Sequence, residues 1–337
     1  MTAPLTINKS DNAFDLIRWS LALSLFCFHF ARISGIPTFL PIEGREIVAS
    51  FFIMSGYFAH QSYRSHPNAP HYYARRARRI LPPYIIVVVL TTIICAAATT
   101  LTPTAYATHP HTWQHLSANL PMLGFLAPTL PGVFEGNALA AVNGSLWTMK
   151  IEVAFYATIP LLFLLLRRRT TLVLTLIIIL SAAYEHLLRH HAHIGGGEQY
   201  LFLARQLPGQ MSYFASGMLC SLLLPRIMPH RHTLLITTAG LLATLYLIGF
   251  TPSLIYAPTL ALLITTAGHT APKPLRHRLP DLTYEVYLLH FPIIQLTTHF
   301  LPPGHPLTFT LSAISVIIAS ILLHGIVRRL NGNAISP

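Results

Sequence analysis

Apolar segments long enough to cross a lipid bilayer recur along the whole of this 337-residue sequence. A membrane-spanning helix needs roughly 18 to 25 predominantly apolar residues. Ten segments of this kind lie near residues 15–36, 46–63, 81–101, 146–166, 170–187, 200–224, 233–250, 254–268, 282–300 and 307–327. Only 9% of the residues are charged, too few to coat a soluble protein, which carries about a quarter. The sequence therefore predicts an all-α, polytopic membrane helix bundle and excludes a soluble enzyme.

The basic residues between these segments indicate the orientation of the chain. With ten spans, 16 of the 22 Lys and Arg residues fall on one side of the membrane. They are Lys9, Arg64, Arg75, Arg76, Arg78, Arg79, Arg167, Arg168, Arg169, Arg226, Arg231, Lys273, Arg276, Arg278, Arg328 and Arg329. Because basic residues favour the cytoplasmic side, both termini are predicted to be cytoplasmic. The net charge of +12 then reflects topology, and no nucleic-acid partner is expected. Residues 1–337 are interpreted as one domain.

The first span carries ionisable residues on a single stripe. Asp15, Arg18, His29 and Arg32 recur at helical spacings of three or four residues or their sums, and such a stripe faces one side of a helix. An ionisable group in the membrane is costly, so it marks a functional site by default. The stripe is predicted to face a cavity inside the bundle.

Two further spans carry polar stripes. One holds Glu152 and Tyr156, with Trp147 and Lys150 expected around its outer end, and the ninth span holds His290. Bonding to a neighbouring helix is the alternative interpretation of each residue taken alone. The three stripes together favour a functional cavity. Other histidines near the outer face, among them His115, and also Glu185 are expected to be solvent-exposed, and no metal site is predicted because recognised ligand spacings are absent.

Five sequence strings, in this order, resemble the acyltransferase-3 family of bacterial integral-membrane acyltransferases. They are FDLIRWSLALSLFCFHF (14–30), FFIMSGYF (51–58), YYARRARRILPPY (72–84), GSLWTMKIEVAFYATIP (144–160) and LTYEVYLLHFPI (282–293). The resemblance implies a multi-pass enzyme of the bacterial inner membrane. Such an enzyme moves an acyl group, usually acetyl, from cytoplasmic acyl-CoA to a hydroxyl of a cell-surface carbohydrate or glycolipid.

The resemblance also implies roles for individual residues. His29 corresponds to the catalytic histidine of the family, and Arg18 to an essential residue near the donor path. Arg76 and Arg79 are implied to hold the phosphates of acyl-CoA or to form the cytoplasmic gate. Glu152 matches the functional glutamate of the family. His290 matches its C-terminal histidine and is expected to bind substrate.

A mechanism follows as a hypothesis. His29 acts as general base on the sugar hydroxyl, Glu152 orients the imidazole or binds the sugar, and Trp147, Lys150 and Tyr156 contact the glycan. A covalent acyl-histidine remains an open alternative route. A transporter or flippase for a glycolipid or anionic solute is the alternative function, because charged stripes facing a cavity also serve transport. A non-catalytic membrane partner is a further alternative.

Overall fold

The computed structural model describes residues 13–37, 42–165, 169–270 and 281–332. These residues form thirteen α-helices, and none of them forms a β-strand. The helices are α1 (Phe14–Ser34), α2 (Gly44–Ser65), α3 (Ala69–Ile94), α4 (Pro103–Thr108), α5 (Pro110–Asn119), α6 (Trp147–Leu165), α7 (Thr170–His191), α8 (Glu198–Ala204), α9 (Leu207–Ile227), α10 (Arg231–Leu247), α11 (Ser253–Thr270), α12 (Thr283–Phe300) and α13 (Pro306–Leu330). The predicted topology residues Lys9, Arg167, Arg168, Lys273, Arg276 and Arg278 lie outside the described residues.

Six stretches of the described residues are long and apolar enough to cross a membrane. They are Phe14–Ser34, Ala69–Ala97, Trp147–Leu165, Thr170–Gly195, Glu198–Leu247 and Pro306–Leu330. The fifth is 50 residues long and contains two of the predicted segments, while the three remaining segments correspond to α2, α11 and α12. The all-helical class and several membrane-crossing helices are thereby confirmed. Ten spans and cytoplasmic termini stay predictions.

Contacts between Cα atoms divide the chain into two compact units. The first unit comprises Met1–Leu21, Arg45–Tyr72 and Ile151–Leu279, and the second comprises Ala22–Gly44, Tyr73–Lys150 and Pro280–Pro337. In the first unit α7, α9, α10 and α11 pack side by side. In the second unit α12 packs against α13. The interpretation of residues 1–337 as one domain stays a prediction.

Glycines let α2 and α9 approach closely in the first unit. A Cβ atom on Gly56 would lie 2.0 Å from the carbonyl oxygen of Phe214, and one on Gly217 would lie 2.0 Å from that of Ile53. Backbones of membrane helices come this close only where small residues replace larger side chains. The glycine of the FFIMSGYF string therefore has a packing reason.

Gly56→Ala is expected to destabilise the protein, because the added methyl meets backbone atoms that move only if the helices separate. Overpacking of this kind costs about 1–3 kcal/mol. Thermal unfolding in detergent should show a lower Tm than the wild type. Gly240→Ala on α10 is the matched control, because its Cβ would meet no atom within 4 Å, and alanine is the better helix former. A wild-type Tm for Gly56→Ala would contradict the packing.

The segment after α3 folds back along α3 in the second unit. The Tyr106 hydroxyl donates to the carbonyl of Thr92, and the Tyr84 hydroxyl donates to that of Asn119, each at 2.7 Å. Thr92 and Tyr84 are eight residues apart on α3, about 12 Å along a helix axis. The sequence predicts that residues 102–145, rich in Pro, His and Gly, lie outside the membrane and that residues 115–126 can form a short interfacial helix. The structure places the end of α5 deep along α3.

His115 on α5 is buried in this returning segment. Its side chain is 4% exposed, its Nδ1 lies 2.9 Å from the carbonyl oxygen of Ala127, and Asn119 contacts it at 3.2 Å. The expectation of a solvent-exposed histidine is wrong here, because a carbonyl twelve residues further along the chain satisfies the imidazole.

Residues 136–146 then run along α12 without forming a helix. The Gln295 amide donates to the carbonyls of Leu139 and Ala141 at 2.6 and 2.7 Å, and the Asn143 amide donates to the carbonyl of Leu288 at 2.9 Å. Non-helical backbone at membrane depth is tolerated only where protein bonds it or where it lines a cavity. We call residues 136–146 the descending segment. It brings polar groups beside α12.

Candidate active site

Two histidines from distant parts of the sequence meet in the second unit. The Nδ1 atom of His29 on α1 lies 2.7 Å from the Nε2 atom of His290 on α12. The rings are nearly parallel, with centroids 4.9 Å apart and planes at 26°. Phe291 lies against the His29 ring at 5.0 Å and 70°. Side chains of α12 therefore hold the His29 imidazole by one hydrogen bond and by ring packing.

His290 is anchored to its own helix. Its Nδ1 atom lies 2.7 Å from the carbonyl oxygen of Tyr287 and 3.1 Å from that of Val286. A carbonyl oxygen can only accept a hydrogen bond, so Nδ1 of His290 carries the proton. In the neutral ring Nε2 then has a lone pair and accepts from Nδ1–H of His29. The consequence is a defined tautomer of His29, with its lone pair on Nε2.

The free Nε2 atom makes His29 able to take up a proton. In the part of the chain that the structure describes, His29 makes no hydrogen bond besides that to His290. His29 is only half-buried, whereas His290 is 1% exposed. The sequence analysis expected His290 to bind substrate. Because both of its ring nitrogens are bonded inside the protein, the structure places it behind His29.

Tyr287 joins α12 to the beginning of α6. Its hydroxyl donates to the carbonyl of Ser145 at 2.7 Å and contacts the Thr148 hydroxyl. Its ring centroid lies 5.9 Å from that of His290. Ser145 and Thr148 therefore anchor the beginning of α6 beside the histidine pair.

Trp147 and Lys150 lie on this first turn of α6. The sequence analysis expected them at the outer end of a span. Because the descending segment has already followed α12 from Gln295 to Leu288, α6 begins beside the second turn of α12. Trp147 is half-buried, and Lys150 Nζ lies 3.9 Å from the ring centroid of Phe125. Both residues therefore lie beside the N-terminal half of α12, and their place at the outer end of a span stays a prediction.

Glu152 belongs to the first unit, where it has two hydroxyl partners. Its Oε1 atom accepts from Tyr156 at 2.7 Å and from Ser55 at 3.3 Å. Tyr156 is 8% exposed and also contacts the Ser55 hydroxyl at 3.3 Å. The glutamate predicted from the resemblance is thus a fixed acceptor, and the serine that joins it belongs to the FFIMSGYF string.

Arg18 also belongs to the first unit. Its guanidinium forms an ion pair with Asp15 at 3.0 Å, and its central carbon lies 4.5 Å from the ring centroid of Phe58. The guanidinium is a quarter exposed. A guanidinium that packs against an aromatic face gains cation–π attraction there.

The arginines that precede the apolar part of α3 lie at the start of α12. Arg79 forms an ion pair with Asp281 at 3.2 Å, and both side chains are about half exposed, at 48% and 60%. Tyr284 donates to the carbonyl of Ile80 at 3.1 Å, which fixes α3 to α12. Arg76 is half-buried. A phosphate arriving at Arg79 would compete with the carboxylate of Asp281.

Glu185 corrects one expectation from the sequence. It was expected in an exposed, histidine-rich patch, yet it is 1% exposed and accepts from Arg45 at 3.0 Å and from Arg189 at 2.8 Å. Burial of a carboxylate requires such partners, and Arg45 is 140 residues away in sequence. Among the described residues, no three His, Cys, Asp or Glu side chains are grouped so as to hold a metal ion.

Fold and site together define a helical protein with several helices long and apolar enough to cross a membrane and with a hydrogen-bonded pair of histidines. A family model for the acyltransferase-3 family, described as an acyltransferase domain, matches residues 11–325. The chain therefore belongs to the acyltransferase-3 family, and it is a membrane acyltransferase. No curated protein and no solved structure matches the chain.

Proposed function

We propose that this protein is an acyl-CoA-dependent O-acyltransferase of the bacterial inner membrane. It transfers an acyl group, acetyl in the first instance, to a hydroxyl of a cell-surface carbohydrate, and His29 is the general base. The observation that carries the proposal is the hydrogen bond from His29 Nδ1 to His290 Nε2 at 2.7 Å. It leaves the lone pair of the imidazole on Nε2, where a base needs it.

The reaction balances with these groups. His29 Nε2 removes the proton of the sugar hydroxyl as its oxygen attacks the thioester carbonyl carbon. A carbon–oxygen bond forms, the carbon–sulfur bond breaks, and the proton passes from His29 to the departing CoA thiolate. His290 keeps the neutral tautomer of His29 and does not touch substrate in this scheme. We therefore assign His290 a positioning role in place of the predicted substrate contact.

The donor would be held at the start of α12 and along α1. Arg76 and Arg79 suit the phosphates of acyl-CoA, because guanidinium groups make paired hydrogen bonds with phosphate oxygens. Arg18 lies eleven residues before His29 on α1 and suits the path of the acyl arm. No metal takes part in this proposal.

Asp281→Asn is expected to lower the KM for acetyl-CoA, because Asp281 competes with phosphate for Arg79. An exposed ion pair is worth about 0–1 kcal/mol, so the KM should fall by up to about fivefold. Steady-state kinetics in detergent measure the effect. Glu198→Gln, which removes an exposed carboxylate at the start of α8, should leave the KM unchanged. A raised KM for Asp281→Asn contradicts the assignment of Arg79.

The remaining predicted residues would bind the acceptor. The family resemblance gives Glu152 the role of orienting the imidazole or binding the sugar. Its carboxylate accepts hydrogen bonds from Tyr156 and Ser55. Trp147 and Lys150 are suited to pack on and bond a sugar ring near the histidine pair. The partners are thus a carbohydrate or glycolipid acceptor and the surrounding membrane lipid.

The experiment uses purified protein in detergent with acetyl-CoA and methyl glycosides. The enzyme should release free CoA thiol and form an acetyl ester. Once the thiol that hydrolysis releases is subtracted, one ester should form for each thiol. A transporter or flippase, the alternative function, would leave acetyl-CoA intact. Intact acetyl-CoA with every glycoside, together with no rise in Tm when acetyl-CoA is added, would contradict the proposal.

A further inference from the structure

A polar cleft lies near the C-terminal ends of α1 and α12 in the second unit. It has a volume of about 490 Å³, and its lining includes Ile33, Ser34, Gly136, Asn137, Thr298 and His299. Sites for small molecules commonly have volumes of about 300–1,000 Å³. We call it the α1–α12 cleft, and none of the roles above involves its residues.

The cleft lies beyond the histidine pair on both helices. Ile33 follows His29 by four residues on α1, about 6 Å along the axis, and Thr298 follows His290 by eight residues on α12, about 12 Å. The Arg79–Asp281 ion pair lies at the opposite end of α12. A ligand in the cleft would therefore approach the histidine pair from the end of α12 opposite to the proposed donor phosphates.

The cleft offers one hydroxyl oxygen without a hydrogen-bond partner and a second hydroxyl that can still accept a hydrogen bond. The Ser34 hydroxyl oxygen is enclosed and, among the described residues, has no hydrogen-bond partner. Leaving such a group unsatisfied costs free energy, so a hydroxyl of this kind indicates a ligand. Thr298 donates its proton to the carbonyl of Ile294 at 2.8 Å and retains lone pairs that can accept from a ligand.

Gly136 and Asn137 line one side of the cleft, where a hydrogen bond holds the backbone and space is left for a ligand. Asn137 donates to the Gln295 side chain at 2.7 Å, which fixes the descending segment against α12. A Cβ atom on the neighbouring Gly136 would meet no atom within 4 Å. Among the described residues, the lining contains the imidazole of His299 and no Lys, Arg, Asp or Glu side chain. Hydroxyl, amide and peptide groups without a formal charge suit a ligand that is itself neutral and rich in hydroxyls.

We infer that the α1–α12 cleft is the acceptor subsite, which binds an uncharged carbohydrate ring and presents one of its hydroxyls to His29. The inference rests on the proposed function, and it adds the place and the chemical class of the acceptor. Ser34 and Thr298 bond ring hydroxyls, and Gly136 leaves room for the ring. The acceptor hydroxyl thus reaches the thioester from the end opposite to the donor.

Ser34→Ala tests the subsite. With acetyl-CoA and methyl glucoside, the ratio of ester formed to acetyl-CoA hydrolysed should fall about 3- to 10-fold, the effect of one neutral hydrogen bond. Ser320→Ala on α13 is the matched control, because its hydroxyl is equally enclosed and unpartnered among the described residues but lies outside the cleft. Neither change should lower the Tm, since each removes an unsatisfied group. Equal ratios for the two variants would overturn the subsite.

Gly136→Leu adds a side chain at the cleft, and its Cβ atom would meet no protein atom within 4 Å. The ratio of ester formed to acetyl-CoA hydrolysed should fall further than it does in Ser34→Ala. A wild-type ratio in a folded Gly136→Leu protein overturns the subsite.

The charge of the acceptor gives a second test. Methyl glucuronide, which carries a carboxylate, should be a poorer acceptor than methyl glucoside, and the reverse order overturns the assignment of a neutral acceptor. Hydrolysis of acetyl-CoA without transfer to any neutral glycoside overturns the inference alone. Absence of His29-dependent CoA release overturns the proposed function itself.

Discussion

His29→Ala is expected to reduce acyl transfer by about 10²- to 10⁴-fold, the range that a positioned general base contributes. The change removes the Nε2 lone pair that the proposed reaction uses, together with the ring contacts of His29 to His290 and Phe291. The rate of CoA release and the yield of ester, each per folded protein, measure the loss. The Tm of the variant shows whether the bundle persists.

A matched control separates loss of the base from loss of any buried histidine. His60 is 3% exposed and contacts the Ser221 hydroxyl at 2.9 Å in the first unit. His60→Gln keeps a polar partner for that serine and should transfer acyl groups at a rate near that of the wild type. Equal activity of His29→Ala and His60→Gln would contradict the assignment of the base.

His290→Phe is expected to lower kcat by about 10- to 10³-fold with little change in the KM for acetyl-CoA. Phenylalanine keeps a ring beside His29 and removes the acceptor of its Nδ1–H, so the wrong tautomer becomes accessible. In Ser-His-Asp enzymes, loss of tautomer control costs about 10⁴-fold. The effect here is smaller because the partner in this pair is a neutral imidazole rather than a carboxylate.

His290→Gln distinguishes positioning from packing. Its amide oxygen can accept a hydrogen bond from His29 Nδ1, so it should restore part of the rate that phenylalanine loses. The pH–rate profile should also differ between the two variants, since only glutamine supplies an oxygen that accepts a hydrogen bond from Nδ1–H of the His29 imidazole. Equal losses in both variants, at unchanged Tm, would contradict the tautomer argument.

Local sequence patterns predicted most of the helices. Apolar length predicted helices at all ten segments, and a spacing of three to four residues predicted that His29 and Glu152 lie on polar stripes. These patterns depend only on the chain near each residue. The Pro, His and Gly residues that follow the third predicted segment, by contrast, indicated an outer loop. The returning path of that loop depends on bonds such as Tyr84 to Asn119 across 35 residues, which no local pattern contains.

The partners of the site residues could not be predicted for the same reason. His29 and His290 are 261 residues apart, and each stripe indicated a cavity without indicating which side chains meet there. The signal that could have found the pair is the presence of one histidine in the polar stripe of each of two spans. Glu185 was misjudged because its surroundings in sequence are polar, whereas Arg45 comes from a distant helix.

The most direct test of the central claim uses sealed proteoliposomes with acetyl-CoA outside and methyl glucoside inside. Protein oriented with its cytoplasmic face outward should release free CoA outside and accumulate acetyl glucoside inside, and His29→Ala should do neither. The account is contradicted if acetyl-CoA stays intact while glucoside crosses the membrane, or if ester forms equally in the wild type and in His29→Ala.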